Sequence, residues 1–249
     1  MHMPDRLQHR FARSIAGLLL AVATAAAGTS AYANPDAYKA AIDHKARDQD
    51  RKNDARLKPA EFLAFAGVKP GMKALDVASG GGATAELLAL AVGPTGEVWA
   101  QTVRESPKLK ERLTANPQPN LHPVVAPFDK PVPAGAPALD LITINMSYHD
   151  IANTPTDRAA MNKALYDALK PGGKLVIVDN AAKDGSGLAA TKELHRIDQK
   201  AVVAEVTKAG FAVDGTSDYL HVAADPRDQA FFNMKGQPDD KFAVRFIKK

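Results

Sequence analysis

The stretch that decides the fold is Leu75-Asp76-Val77-Ala78-Ser79-Gly80-Gly81-Gly82. It joins a short apolar segment at 73–77, predicted to be a strand, to a segment of good helix formers at 83–92. Glycines in such a turn let backbone N–H groups approach a ligand and permit positive φ angles. A tight turn from strand to helix needs glycines in any case. The turn alone therefore leaves a purely structural role open beside ligand binding.

Strands and helices alternate along the rest of the chain. Strands are predicted at 73–77, 98–102, 121–126, 139–145, 174–178, 211–220 and 242–247, and helices at 59–65, 83–92, 107–115, 156–169 and 198–209. This alternation predicts an α/β, Rossmann-like domain over 59–249, with a mostly parallel seven-stranded sheet and helices on both faces. No helix is predicted between the last two strands, so we expect them to form an antiparallel hairpin at the C-terminal edge.

The first 33 residues have the parts of a secretory signal peptide. Arg6, Arg10 and Arg13 precede an apolar run at 15–27, and Ala31-Tyr32-Ala33 is a small-x-small cleavage pattern. The apolar run is shorter than the roughly 20 residues of a membrane span, although an uncleaved anchor stays an alternative. We therefore predict cleavage after Ala33, no stable membrane span afterwards, and a periplasmic or secreted protein.

Composition narrows the function further. The leader holds three Arg and one Asp, so the net charge falls from +4 to +2 without it. No basic patch with interleaved aromatic residues is present, so a small molecule is expected as partner rather than nucleic acid. The chain has no cysteine, which excludes disulfides and thiolate metal sites. The oligomeric state is left open.

Residues 34–58 form a strongly charged segment before the regular pattern begins. We predict a helical segment or lid that packs on the edge of the domain. A solvated N-terminal arm is an equally good interpretation of the same charges.

Three segments together resemble the class I S-adenosylmethionine-dependent methyltransferases. The turn at 75–82 resembles their first motif, Asp-x-Gly-x-Gly-x-Gly; residues 96–100 resemble their second strand, and residues 169–175 the entry to their fifth. The resemblance implies S-adenosylmethionine as cofactor and methyl transfer to an unidentified acceptor. Residues 145–150 and 195–198 more narrowly resemble a group of exported, predicted bacterial methyltransferases. The alternative is an exported, non-enzymatic binding protein that retains this fold.

The resemblance also implies which residues bind the cofactor. Asp76 would orient the turn or approach the methionine amino group, Asp129 would lie near the adenine, and Asn145 would face the methionine moiety. The complete expected set is Asp76, Ala78, Ser79, Gly80, Gly81, Gly82, Thr102, Asp129 and Asn145.

The sequence departs from the family pattern at two positions. Ala78 stands where the first motif glycine is expected. At the end of the second strand, Gln101 or Thr102 stands where the family has a carboxylate that accepts hydrogen bonds from both ribose hydroxyls. An amide or hydroxyl does this less strongly because it lacks the gain of a charged acceptor. We therefore predict weaker cofactor binding than in a typical member.

Tyr148-His149-Asp150 follows the fourth strand and is the predicted catalytic stretch. An imidazole titrates near neutral pH, so His149 is a candidate base for a hydroxyl or acidic carbon, with Asp150 orienting it. Tyr148 would pack beside the cofactor methyl or the acceptor. The alternative is that His149 and Asp150 cap the following segment.

A second polar cluster, His195 to Asp198, precedes the last predicted helix. Asp198 is well placed as its N-cap. Arg196 would bind an acidic group of the substrate or pair with a surface carboxylate. His149, Asp150 and His195 are conceivable metal ligands, but no close histidine spacing supports a site, so no metal is predicted.

Overall fold

The computed structural model describes residues 38–249 of the 249-residue chain. The leader predicted at 1–33, with residues 34–37, lies outside the described residues. The strands are β1 Lys73–Val77, β2 Glu97–Thr102, β3 Leu121–Val125, β4 Leu139–Asn145, β5 Leu169–Asn180, β6 Ala212–Ser217 and β7 Lys241–Ile247. The helices are α1 Lys39–Ile42, α2 Asp54–Leu57, α3 Pro59–Ala66, α4 Ala83–Val92, α5 Pro107–Ala115, α6 Tyr148–Ala152, α7 Arg158–Ala168, α8 Thr191–Leu194 and α9 Gln199–Lys208. Short 3₁₀ helices lie at Lys45–Arg47, Arg51–Asn53 and Phe231–Asn233.

The seven strands form one sheet in the order β3-β2-β1-β4-β5-β7-β6. Strands β1 to β5 pair in parallel, while β7 runs antiparallel to both β5 and β6. The predicted Rossmann-like sheet with an antiparallel C-terminal hairpin is confirmed. Strand order reverses between β1 and β4, and in such sheets a ligand crevice opens at the carboxyl ends of the strands beside this reversal.

Alternating residues of each strand enter two separate apolar layers, one on each face of the sheet. On β1, Ala74 packs with α3 and α4, whereas Leu75 and Val77 pack with α6, α7 and α9. Both faces of the sheet are thus covered by helices.

The charged segment packs onto the domain as a series of short helical turns. The Tyr38 hydroxyl donates to Val68 O at 2.9 Å, and Ala46 and Arg47 are buried. Residues 38–57 therefore pack against the domain and do not form a solvated arm. None of the helices between residues 38 and 249 has the length and apolar character needed to cross a bilayer.

The structure departs from the predicted elements mainly at β5. The strand was expected at 174–178 but extends over Leu169–Asn180, because Leu169 pairs with Leu139 across a bulge and Asp179 pairs with Phe242 of β7. The apolar pattern cannot show this, since the added residues are mostly polar or glycine. Helices α6 and α8 were not predicted because four or five residues are too few for a helical period to register.

Candidate active site

The glycine turn is held by the end of β2. The Gln101 side chain accepts a hydrogen bond from Ala78 N at 2.9 Å, and its backbone oxygen accepts from Ser79 N at 2.8 Å. Gln101 is fully buried and holds the turn through these two hydrogen bonds. Thr102, the other candidate for the position expected to bind the ribose, ends β2, and its hydroxyl donates to Arg104 O at 2.7 Å.

The conformation of the turn explains its glycines. Gly82 has a φ of +82°, and a Cβ there would lie 2.5 Å from the Leu109 side chain. Ala78 adopts a φ of +57°, a region that favours glycine and costs an alanine on the order of 1 kcal/mol. The departure from the family motif at Ala78 is thus accommodated as a small local strain.

The turn carries polar groups whose pairing is incomplete. The N–H groups of Gly80 and Gly81 have no acceptor within residues 38–249. The Asp76 Oδ2 atom is buried and accepts no hydrogen bond of normal geometry from these residues, although the Ser79 hydroxyl lies near the carboxylate. Free backbone donors before a helix suit a carboxylate, and an orphaned carboxylate oxygen suits an ammonium group. These groups therefore fit the methionine end of the expected cofactor.

Asp76 lies at the buried centre of this region. Burial raises the pKa of its carboxyl group to about 6, partly offset by the hydroxyl groups of Thr143, whose Oγ1 donates to Oδ1 at 2.7 Å, and of Ser79. The folded chain therefore holds a carboxylate that is costly to ionise.

The other expected cofactor residues lie at the same edge of the sheet. Asn145 ends β4, and its amide donates to Thr84 Oγ1 of α4 at 3.0 Å. Asp129 is half-buried in the loop after β3, and Thr102 ends β2. The parallel sheet thus places Asp76, Thr102, Asp129 and Asn145 at or near the carboxyl ends of four neighbouring strands.

A buried guanidinium joins the charged N-terminal segment to the turn. Arg112 of α5 donates to Gly81 O at 2.8 Å, to Glu86 of α4 at 2.5 Å and to Asp50 at 2.8 Å. Sequence reasoning missed this residue. An arginine in an amphipathic helix is usually solvated, and its carboxylate partners lie 26 and 62 residues away.

His149 stands at the start of α6, directly after β4, and its side chain is 4% exposed. Asp179, at the end of β5, accepts from His149 N at 2.9 Å and lies 2.6 Å from His149 Nδ1. On the other side of the ring, His149 Nε2 is 3.3 Å from Asp150 Oδ1, which is itself 3.3 Å from His195 Nδ1. Two segments 46 residues apart in sequence thus form one cluster.

The carboxylates around His149 control its charge. Burial lowers the pKa of the imidazole, but the contacts with Asp150 and Asp179 outweigh it and raise the pKa to about 9. In this arrangement the ring keeps its proton at neutral pH, so it must lose that proton before it can act as a base. The backbone N–H of His149 at the start of α6 donates to Asp179. The capping alternative assigned this accepting role to the side chains of His149 and Asp150 instead.

Tyr148 points away from this cluster. It is fully buried in the core on the α7 side of the sheet, where its hydroxyl donates to Glu205 at 2.8 Å and accepts from Asn162 at 2.9 Å. Burial and the Glu205 charge raise the pKa of the phenol. Tyr148 therefore does not lie beside the cofactor methyl or the acceptor, as was expected. It anchors α6 to α7 and α9 instead.

The structure also settles the alternatives at 195–198. Arg196 is fully buried and forms an ion pair with buried Asp225 at 2.8 Å, so it neither faces a substrate nor pairs at the surface. Asp198 accepts from Lys200 N at 2.9 Å, which confirms it as the N-cap of α9.

Asp179 and Asn180 are two further site residues, besides Arg112, that the sequence analysis missed. A signal for them exists: they follow the apolar run 174–178, and polar residues after such a strand reach the carboxyl edge of a parallel sheet. Asn180 donates to His195 O at 2.9 Å and so positions the second histidine.

The sheet order, the glycine turn after β1 and the polar residues at the strand ends define an α/β domain of the methyltransferase class. The model of the ubiE/COQ5 methyltransferase family matches residues 56–208. This chain therefore belongs to the ubiE/COQ5 methyltransferase family, and the expected methyltransferase resemblance is confirmed.

Curated relatives match the central part of the chain. The ubiquinone/menaquinone biosynthesis C-methyltransferase UbiE of Cupriavidus necator is 32% identical over 117 residues, 47% of this chain and 46% of that protein. The protein of the same name from Laribacter hongkongensis is 33% identical over 117 residues, which are 47% of this chain and 46% of that protein. The chain spans about half the length of the curated relatives it matches.

Solved structures share the fold at lower identity. A SAM-dependent methyltransferase from Aquifex aeolicus is 20% identical with a TM-score of 0.60, covering 87% of this chain and 99% of that one. A putative sarcosine dimethylglycine methyltransferase from Galdieria sulphuraria is 18% identical with a TM-score of 0.57, covering 81% and 88%. These likenesses support the fold alone.

Proposed function

We propose that this protein transfers a methyl group from S-adenosylmethionine to a small-molecule acceptor. The observation that carries the proposal is the turn at 78–82. Its Gly80 and Gly81 N–H groups and the orphaned Asp76 oxygen flank the point where strand order reverses. Membership in the ubiE/COQ5 methyltransferase family supports the same activity. S-adenosylmethionine, when bound there, supplies a methyl group already activated by its positively charged sulfur.

Since the donor is activated, the protein has mainly to hold and align the two reactants. Backbone donors of the turn and the Asp76 carboxylate bind the methionine end, Asn145 lies beside them, and Asp129 is available to the adenine. Thr102 offers a neutral hydroxyl to the ribose in place of a carboxylate. We therefore expect specific but weak binding of the cofactor.

We place the acceptor beside the cluster at the ends of β4 and β5. His149 and Asp150 provide polar groups there, and Asp150 is 58% exposed. Phe232 packs edge-on against His195, with ring centroids 5.4 Å apart, and is itself 59% exposed. This setting suits a flat molecule that carries a polar group. Because the curated relatives are named for ubiquinone and menaquinone biosynthesis, a quinol ring is the first acceptor to test.

The test is calorimetric titration of the full chain with S-adenosylmethionine and with its demethylated product. Binding with a Kd above about 1 μM is expected, because the neutral Thr102 hydroxyl replaces a charged acceptor of the ribose hydroxyls. Gly82→Ala, which creates a clash with Leu109, is expected to abolish it, and Val103→Ala, an exposed neighbour of the site, serves as control. A submicromolar Kd contradicts weak binding. Absence of binding at millimolar ligand favours the non-enzymatic binding protein instead.

Transfer itself is measured by incorporation of labelled methyl groups into quinols and into small-molecule extracts. His149→Ala is expected to lower turnover without changing cofactor affinity, because the residue lies on the acceptor side. Full turnover by this variant on an identified acceptor contradicts the assignment of His149.

We also propose that the protein is exported. The support is the arginine-rich start, apolar run and Ala31-Tyr32-Ala33 pattern, and the resemblance of 145–150 and 195–198 to exported, predicted methyltransferases. Mass spectrometry of fractionated cells is expected to find a mature N-terminus at Asn34 in the periplasm or medium. An intact leader on cytoplasmic protein contradicts export.

A further inference from the structure

We infer that His149, Asp150 and His195 form a binding site for a divalent transition-metal ion. One ring nitrogen from each histidine and one carboxylate oxygen lie within 4.8 Å of one another. Asp150 Oδ1 is 3.3 Å from both His149 Nε2 and His195 Nδ1. Ligands at about 2.0–2.1 Å from a tetrahedral ion are separated by roughly 3.3 Å, so these two distances match neighbouring ligands of one ion. They are long for direct charged hydrogen bonds.

The orientation of His149 matches that of a metal-bound histidine. A ligating imidazole characteristically donates its other ring N–H to a carboxylate, which fixes the tautomer and the ring plane. Asp179 is that carboxylate, and it accepts the bond from His149 Nδ1 at 2.6 Å. Asp179 is itself held by the backbone N–H groups of His149 and Asn180, which donate to it at 2.9 and 2.8 Å. The Nε2 atom is thereby directed toward Asp150 and His195. The ion displaces the proton that Nε2 carries in the ion-free chain, so binding releases that proton to solvent.

His195 is brought to the cluster as the C-cap of α8. Its φ is +51°, the left-handed conformation in which many helices end. Asn180 holds this position by donating to His195 O at 2.9 Å. Its ring packs edge-on to His149, with centroids 5.5 Å apart, and on its other side contacts Phe232.

The donors select the class of ion. Two imidazoles and one carboxylate suit zinc and other first-row transition ions such as cobalt(II) or iron(II), whereas magnesium and calcium prefer all-oxygen sites. The side chains of Asp150 and His195 are 58% and 36% exposed, so one side of the cluster is open to solvent. Three protein ligands with an open position is the arrangement of metal sites that also bind a water or substrate oxygen.

The position suggests what the ion would do, a step that rests on the proposed function. The cluster lies at the carboxyl ends of β4 and β5, on the side where we place the acceptor. An ion here would bind an oxygen of the acceptor and orient it toward the cofactor turn. Metal binding itself is independent of that proposal.

The experiment is titration of the chelator-treated full chain with Zn²⁺ by calorimetry and with Co²⁺ by visible absorption. One ion per chain is expected, with cobalt d–d bands of a four- or five-coordinate nitrogen and oxygen site. Asp150→Asn and His195→Ala are each expected to weaken binding at least tenfold. Asp179→Asn, which removes no proposed ligand but weakens the support of His149 at Nδ1 and at the backbone, is expected to weaken it about 10- to 100-fold.

His122→Ala is the matched control, because His122 also pairs with a carboxylate, Glu97, but lies at β3, away from the cluster. It is expected to bind like the parent chain. Circular dichroism of each variant separates lost ligands from lost folding, and Asp150 is exposed enough for its amide variant to fold. No saturable binding at 100-fold excess of ion, or binding that persists unchanged in Asp150→Asn and His195→Ala, overturns the inference. Calorimetry with S-adenosylmethionine on the same samples tests the proposed function separately, since neither result depends on the other.

Discussion

Asp76→Asn is expected to make the ligand-free protein more stable at neutral pH. The Asp76 carboxyl group has one oxygen bound by Thr143 and one buried without a partner among the described residues, and its pKa is raised from 3.8 to about 6. A shift of roughly 2 pH units corresponds to about 3 kcal/mol of ionisation energy that the folded state bears. An asparagine keeps the acceptor for Thr143 and removes the charge.

The pH dependence has a definite sign. A carboxyl group whose folded pKa is raised binds its proton more tightly when folded, so stability is highest below the unfolded pKa of 3.8 and falls as pH rises. The loss is complete above about 6. The free energy of unfolding of the variant minus that of the parent should therefore grow between pH 4 and 6 and stay level at higher pH. The plateau is expected at 1–3 kcal/mol, since the new amide N–H leaves about 1 kcal/mol of unpaired polar cost.

Urea unfolding followed by fluorescence of Trp99, the single tryptophan, measures this difference at a series of pH values. Comparing the two proteins cancels the titration of all other groups. The same variant should lose the rise in melting temperature that S-adenosylmethionine gives the parent, because the carboxylate that pairs with the cofactor's ammonium group is gone. A pH-independent difference, or a variant less stable than the parent at pH 8, refutes the reasoning.

Three further substitutions test the site and its supports. Thr102→Asp places a charged acceptor at the end of β2 and should tighten S-adenosylmethionine binding about tenfold, as measured by calorimetry. The neutral control Thr102→Asn should tighten it less, and no gain in affinity with Thr102→Asp contradicts the ribose position assigned to this residue. Ala78→Gly relieves the strain of the left-handed φ of +57° but adds the entropy cost of glycine, so the free energy of unfolding should rise by 0 to about 1 kcal/mol. A fall of more than about 1 kcal/mol argues against strain at this position. Tyr148→Phe removes the buried bonds to Glu205 and Asn162 and should cost about 1–3 kcal/mol in urea unfolding; an unchanged midpoint contradicts the anchoring role.

The fold could be predicted because its information is local. Apolar runs such as 139–145 and the punctuation of the helix Ala83–Val92 by glycines mark element ends to within a residue or two. The errors fall where pairing partners, rather than local pattern, decide the element. Leu169 and Asp179 belong to β5 only because Leu139 and Phe242 lie opposite them.

The site was predicted unevenly for the same reason. The turn at 78–82 and Asn145 follow from strand ends that the sequence marks. Tyr148 was assigned to the wrong side of its helix, because a helix of five residues, Tyr148–Ala152, gives no period from which to orient a face. The position of Asp179 at the end of its strand could have been predicted from the sequence, whereas its contact with His149 and the meeting of His149 with His195 depend on tertiary structure that no local spacing encodes.

The two halves of the site differ in how far they are organised before a ligand binds. On the acceptor side, Asp179 satisfies His149 through the backbone and the ring, and Asn180 fixes His195, so the geometry exists in the ligand-free chain. On the cofactor side, the donors of the turn and one oxygen of Asp76 are unpaired within the described chain, and their partners would come from the ligand. Cofactor binding would therefore pair polar groups of the folded chain that are otherwise unpaired, whereas the acceptor meets a cluster that is already held in place. This asymmetry favours an order in which the cofactor binds first, since it completes the turn beside which the acceptor is then aligned.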